Sequence, residues 1–118
     1  LRMFLGFNGR GFGQGAADEV DVGDLDALQS THRLIDVRGS DEFLGMLGHI
    51  PGSENQPLDQ LASRAHDWDR SQPLVLICQS GGRSARAVDL LKRMGFEGAV
   101  NLRGGMMAYQ VWRSRAAA

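Results

Sequence analysis

Pro73-Leu74-Val75-Leu76-Ile77-Cys78-Gln79-Ser80-Gly81-Gly82-Arg83-Ser84 is the stretch on which the fold turns. Residues 73–77 are apolar without alternation, the pattern of a strand covered on both faces, as in a parallel sheet. Two glycines break the run, and Gly82 to Met94 then reads as a helix. Ala87, Val88, Leu91 and Met94 make one apolar stripe, while Arg86, Asp89 and Arg93 face water. Asp89 and Arg93 are spaced for an i, i+4 ion pair, and Gly95 ends the helix. A buried strand that turns through glycines into an amphipathic helix predicts an α/β architecture.

The alternation repeats outward from this unit. Glu19-Val20-Asp21-Val22 reads as a short strand, and Asp24 is placed to cap a helix through Leu25, Ala27 and Leu28. Leu34-Ile35-Asp36-Val37 reads as a second strand. Ser40 is placed to cap a short helix with Asp41 and Glu42 in its first turn. Gly45, Gly48, Pro51 and Gly52 mark a long loop, and Pro57 suits the start of a helix carrying Leu58, Leu61, Ala62 and Ala65. Ala99-Val100-Asn101-Leu102 is a further strand. Gly105 to Arg113 is a last helix, with Met106, Tyr109 and Trp112 at core spacing. The expected fold is a central parallel sheet with helices on both faces. There is no internal repeat.

The chain has 118 residues, 42% apolar and 23% charged, which fits one globular domain with a core of its own. Residues 1–18 are expected to be a glycine-rich arm and residues 19–118 the domain. The arm lacks G-x-G-x-x-G after a strand, so it is not read as a dinucleotide site. Leu1–Phe7 is too short for a signal-peptide apolar region with its cleavage site. No apolar run reaches the ~18 residues of a membrane span, so membrane association is not expected. A cytoplasmic setting is a separate expectation, for a chain that could be a fragment of a larger or processed protein. The net charge of −1 argues against a nucleic-acid partner. Residues 1–69 carry 5 Arg/Lys and 12 Asp/Glu, and residues 70–118 carry 8 and 2. The cysteine therefore sits in a basic half, which favours a thiolate and an anionic substrate.

Cys78 is the sole cysteine, which excludes an internal disulfide and a cysteine-based zinc cluster. It stands at the carboxyl end of the most apolar strand, where open α/β sheets bind ligands. The glycines after it let backbone N–H groups converge on one point. The helix N-terminus adds partial positive charge there, and Arg83 adds a full one. All three lower a thiol pKa. A merely structural cysteine ending a core strand is the competing reading, but Gly81-Gly82 and Arg83 have no use in a plain turn.

Other residues carry weaker signals. Arg38, one residue past a strand, could line the mouth of the same pocket, and an ion pair with Glu42 at i+4 is the preferred reading. Asp36 is expected to fix loops by hydrogen bonds. His49 is read as structural, and His32 and His66 as surface residues. Three dispersed histidines give no metal site. Trp68 and Trp112 are read as packing residues. Arg103, Arg113 and Arg115 are read as solubilising, with Arg103 also able to extend the positive field.

Four stretches, taken in order, resemble the rhodanese family of sulfurtransferases. They are Leu34-Ile35-Asp36-Val37-Arg38 with Glu42-Phe43, Gly48-His49-Ile50-Pro51-Gly52-Ser53 with Asn55, the loop Cys78 to Ser84, and Gly104-Gly105-Met106. The resemblance covers residues ~20–113. It implies a sheet of about five strands and no cofactor. It also implies a catalytic Cys78 that takes sulfur from a donor such as thiosulfate and passes it, as a persulfide, to cyanide or a thiol. Gln79, Ser80, Gly81, Gly82, Arg83 and Ser84 would hold the anionic sulfur, with Arg38 near them, and a sulfur-accepting protein is a further partner. The chain departs from the family in having four residues between Phe43 and Gly48, where many members have two. The arm has no counterpart.

Two other functions remain open. Cysteine phosphatases and arsenate reductases use C-x5-R, which wraps a tetrahedral oxyanion. Here four residues separate Cys78 from Arg83, a smaller cradle suited to one sulfur. A non-catalytic binding or sensing module of a larger protein is the other alternative.

Overall fold

The structure is a computed structural model that describes residues 18–117. Its strands are β1 (Glu19–Val20), β2 (Arg33–Asp36), β3 (Ser53–Asn55), β4 (Leu74–Ile77) and β5 (Ala99–Leu102). They form one sheet in the order β1-β5-β4-β2-β3, with every neighbouring pair parallel. The uninterrupted apolar run is thus the middle strand, and all four residues of β4 are buried.

Helices cover both faces, as the alternation predicts. They are α1 (Leu25–Leu28), α2 (Ser40–Phe43), α3 (Leu58–Ala65), α4 (Gly82–Arg93) and α5 (Gly105–Ala117). Ile35, Leu74 and Leu76 pack with Leu61 and Ala65 of α3 and with Ala87, Val88 and Leu91 of α4. Leu34, Val75, Ile77 and Leu102 pack on the other face with Leu25 of α1 and Met106 and Tyr109 of α5. Each fully buried Leu, Ile, Val or Met among them is worth roughly 1.5–3 kcal/mol. Trp68 packs against the first cluster, beneath the Arg33 guanidinium at 4.2 Å, and Trp112 against the second. The Arg93–Asp89 pair forms at 3.3 Å between exposed side chains.

Several local expectations are corrected. Between the long loop and the helix that follows Pro57 lies a strand the pattern does not announce, β3, an edge strand of Ser-Glu-Asn in register with Leu34–Asp36. It is held by polar contacts. Arg33 donates to both Glu54 carboxylate oxygens at 2.9 and 2.7 Å, and Asn55 Nδ2 donates to the Asp36 and Arg38 carbonyls at 3.1 and 2.9 Å. Strand β1 stops at Val20 and gives way to a 3-10 turn over Val22–Asp24, and Asp24 accepts the Asp21 N–H at 3.0 Å. Gly39, not Ser40, occupies the cap of α2, where the Glu42 carboxylate accepts its N–H at 3.1 Å. Asp18 is already part of the domain edge. Its carbonyl accepts the Asn101 N–H at 2.7 Å and its carboxylate pairs with Lys92 at 2.8 Å. The rest of the expected arm lies outside the described residues.

Candidate active site

The end of β4 is shaped by what it must satisfy on either side. The chain leaves Cys78 and reaches Gly81 at φ 109°, a left-handed conformation that glycine adopts without a side-chain clash, before α4 begins at Gly82. The first two carbonyls of this loop are engaged by α5. Met106 N–H donates to the Cys78 carbonyl at 2.8 Å and Met107 N–H to the Gln79 carbonyl at 3.0 Å. The first turn of α5 therefore absorbs these two acceptors, while the Gly81 N–H faces the sulfur. That approach requires Gly105, at φ 56°, because a Cβ there would collide with the Cys78 carbonyl and with Gln79.

The Cys78 residue is 1% exposed. Its Sγ accepts the Gly81 N–H at 3.0 Å and the Ser84 hydroxyl at 3.2 Å. Burial pushes the thiol pKa up. The Ser84 hydroxyl and the N–H groups of Ser84, Gly81 and Ser80 more than offset it, so the thiol lies below its ordinary value. Gln79 is half-buried and Ser80 and Gly82 are exposed along the loop rim.

Arg83 does not stand free beside the sulfur. It makes a two-pronged ion pair with Glu42 of α2, Nη1 to Oε1 at 2.7 Å and Nη2 to Oε2 at 2.8 Å, joining residues 41 apart in sequence. Its hydrogen bonds, helped by the Gly39 N–H and opposed by burial, lower Glu42 to about 2. The same pair raises Arg83, and the proximity of Cys78 and Asp36 adds to that rise. Arg83 thus straps α2 to the cysteine loop while its positive field still reaches the sulfur.

Two expectations for Arg38 are overturned. Glu42 is taken by Arg83, and Arg38 pairs instead with Asp36, both fully buried at 1% and 0% side-chain exposure. Nε and Nη2 reach Asp36 at 3.0 and 2.8 Å, Nη2 also donates to the Gly48 carbonyl at 2.8 Å, and Nη1 donates to the Glu42 carbonyl at 3.3 Å. With its donors engaged inside the protein, Arg38 does not line a pocket mouth; it braces the loop after α2. Asp36 fixes loops as expected, accepting the Arg38 N–H at 3.1 Å. His49 donates from Nδ1 to the Phe43 carbonyl at 2.9 Å and stacks on that ring at 3.7 Å, a structural role. Arg103 pairs with Glu19 at 3.5 Å and Asp21 at 3.2 Å, so its charge is engaged at the β1 edge. The loop between Phe43 and Gly48 exposes Leu44, Met46 and Leu47, and Gln110 Nε2 of α5 holds it through the Leu47 carbonyl at 2.9 Å.

Asn101 belongs to the site and was not singled out from the sequence. It is 2% exposed on β5, with Oδ1 2.5 Å from the Ser84 hydroxyl and Nδ2 3.2 Å from the Gly81 carbonyl. Nδ2 also lies 3.4 Å from a Glu19 carboxylate oxygen. The available signal was a polar residue in an otherwise apolar strand.

The rhodanese-like domain family matches residues 21–111. The uncharacterised protein YqhL of Bacillus subtilis is 44% identical over 73 residues, 62% of this chain and 56% of YqhL, so the chain spans just over half of that relative's length. Thiosulfate sulfurtransferase GlpE of Shewanella oneidensis is 32% identical over 77 residues, 65% of this chain and 74% of GlpE. The human single-domain sulfurtransferase TSTD1 superposes with a TM-score of 0.68 at 29% identity, covering 84% of this chain and 97% of TSTD1.

Proposed function

The chain belongs to the rhodanese-like domain family, and from that premise we propose that it is a sulfurtransferase whose Cys78 carries sulfur as a persulfide. The observation that carries the reading is the environment of Sγ: two hydrogen bonds to the sulfur, from the Gly81 N–H and the Ser84 hydroxyl, at the head of α4. Such donors stabilise a thiolate and serve equally for a terminal sulfur anion.

The reaction divides into two displacements. The Cys78 thiolate attacks the outer sulfur of thiosulfate. An Sγ–S bond forms, the S–S bond to the sulfite group breaks, and sulfite leaves with the electron pair. Cyanide or a thiolate then attacks the outer sulfur of the persulfide, and the pair of the broken bond returns to Sγ. Gln79 to Ser84 hold the outer sulfur's charge between the two steps, with Arg83 supplying a positive field from its tether on Glu42. A residue only 1% exposed suits a donor that presents a terminal sulfur. The acceptor is a small thiophile or the thiol of a sulfur-accepting protein. The reducing cytoplasm, which keeps a lone thiol unoxidised, is the setting this reading assigns. No helix among the described residues is long and apolar enough to cross a membrane.

The test is intact mass after incubation with thiosulfate, followed by thiocyanate formation on adding cyanide. The expected result is a gain of one sulfur atom that Cys78→Ala abolishes. No gain would replace this reading with a binding module. Phosphate release from a phosphate monoester, without thiocyanate, would replace it with a phosphatase.

A further inference from the structure

The Ser84 hydroxyl has one proton and two acceptors. Cys78 Sγ lies 3.2 Å from Oγ on one side and Asn101 Oδ1 lies 2.5 Å from it on the other. Ser84 is 0% and Asn101 2% exposed, so bulk water does not supply the missing donor. The Asn101 amide cannot turn over to relieve the competition. Its Nδ2 faces the Gly81 carbonyl at 3.2 Å and the Glu19 carboxylate at 3.4 Å, two acceptors that would repel Oδ1 in the reversed orientation.

We propose that Asn101 is a positioning residue for the nucleophile, competing with the Cys78 sulfur for the Ser84 hydroxyl proton and so setting which charge state of Sγ the site favours. When Sγ is a thiolate, the hydroxyl turns to it and Asn101 Oδ1 loses its donor. When Sγ is a neutral thiol, S–H donates to Ser84 Oγ and the hydroxyl donates to Asn101, so every group is satisfied. The two-bonded inner sulfur of a persulfide has no S–H to donate and is a weak acceptor, so there too the hydroxyl is released to Asn101. Between these states the Ser84 hydroxyl rotates and keeps its own proton, while the S–H proton is gained or lost by Sγ itself. Asn101 therefore disfavours the free thiolate and favours the loaded cysteine. That last consequence rests on the sulfurtransferase reading, whereas the competition itself does not.

The charged groups on the elements packed about the cysteine loop are Arg83 of α4 with Glu42 of α2, and Asp36 of β2 with Arg38; beside Asn101 they are Glu19 of β1 with Arg103. None of these side chains hydrogen-bonds Sγ, so the hydroxyl is the side-chain donor that Asn101 can redirect.

The experiment follows the rate of Cys78 alkylation by iodoacetamide against pH in the full chain, with thermal unfolding as a control for folding. Asn101→Leu keeps the branching of the side chain and removes the acceptor. Its apparent thiol pKa is expected to fall by about half to one unit, roughly a three- to tenfold rise in thiolate below the midpoint. In a Ser84→Ala background the same substitution is expected to change nothing, a coupling that a general structural disturbance would not show. If Asn101→Leu does not fold, Asn101→Val, which suits a strand, makes the same comparison. An unchanged or raised pKa overturns the proposal, as does a fall that survives Ser84→Ala. If the wild-type chain takes up no sulfur from thiosulfate, the sulfurtransferase reading fails, while the alkylation profiles still decide the role of Asn101.

Discussion

Glu42→Gln removes the charge of the strap between α2 and the cysteine loop while keeping its shape. Glu42 is lowered from 4.5 to about 2, with the Arg83 hydrogen bonds as the main cause. Taken whole, that shift would correspond to roughly 3 kcal/mol at about 1.36 kcal/mol per unit. Both side chains are more than a third exposed, however, 35% for Arg83 and 39% for Glu42. Solvent screening and the cost of ordering two long side chains bring such a pair down to about 1 kcal/mol. The sign follows from a folded pKa below the unfolded one. The stabilisation is complete above the unfolded value of 4.5 and is lost as pH falls through about 2. Urea unfolding of both proteins from neutral pH downward is expected to show the wild type more stable by about 1 kcal/mol, with the gap closing across that interval and narrowing in high salt. The alkylation profile of Glu42→Gln gives a second readout, because Arg83 without its counter-charge lowers the Cys78 pKa further. Equal stability of the two proteins at neutral pH, or a gap that persists unchanged below about pH 2, would refute the assignment of this ion pair.

Three further outcomes follow from the geometry. Asp36→Asn leaves the buried Arg38 charge unpaired and is expected to cost about 3–5 kcal/mol, read as a lowered urea midpoint, a large part of the stability of a domain this size. Gly105→Ala forces a side chain into the Cys78 carbonyl at a positive φ, and is expected to cost over ~1 kcal/mol and lower the alkylation rate by displacing the loop. Ser84→Ala removes one of the donors to Sγ and is expected to raise the Cys78 pKa by about one unit, so that the alkylation midpoint moves to higher pH.

Much of the site was legible because its shape follows from local pattern. An apolar run without alternation, two glycines and an amphipathic helix place Cys78 at the end of the central strand. What the sequence hid was partnership over distance. Helical spacing suggested that Arg38 meets Glu42, yet α2 spans only Ser40–Phe43 and Arg38 precedes it, so no helix surface aligns them. Arg38 turns back to Asp36 instead, and Glu42 is free for an arginine 41 residues away. Strand β3 was invisible for a related reason. An edge strand held by an ion pair and amide bonds needs no apolar alternation, and Ser-Glu-Asn offers none. Asn101 carried only the hint of its polarity. Its meaning depends on Ser84 and Glu19, which come from other elements.

The sheet order also ranks its parts by how readily they open. Strand β4 is paired along both edges, so its amides are expected to exchange with solvent only when the whole domain unfolds. Strand β1 has two residues, a single neighbour, and a partner strand about eighty positions further along the chain. It closes the largest loop in the sheet and is expected to dock last in folding and to fray first in the native state. Each fraying event withdraws Glu19 from Asn101. Cys78 thus follows directly on the strand expected to open most slowly, while one acceptor that orients its surroundings belongs to the strand expected to open fastest.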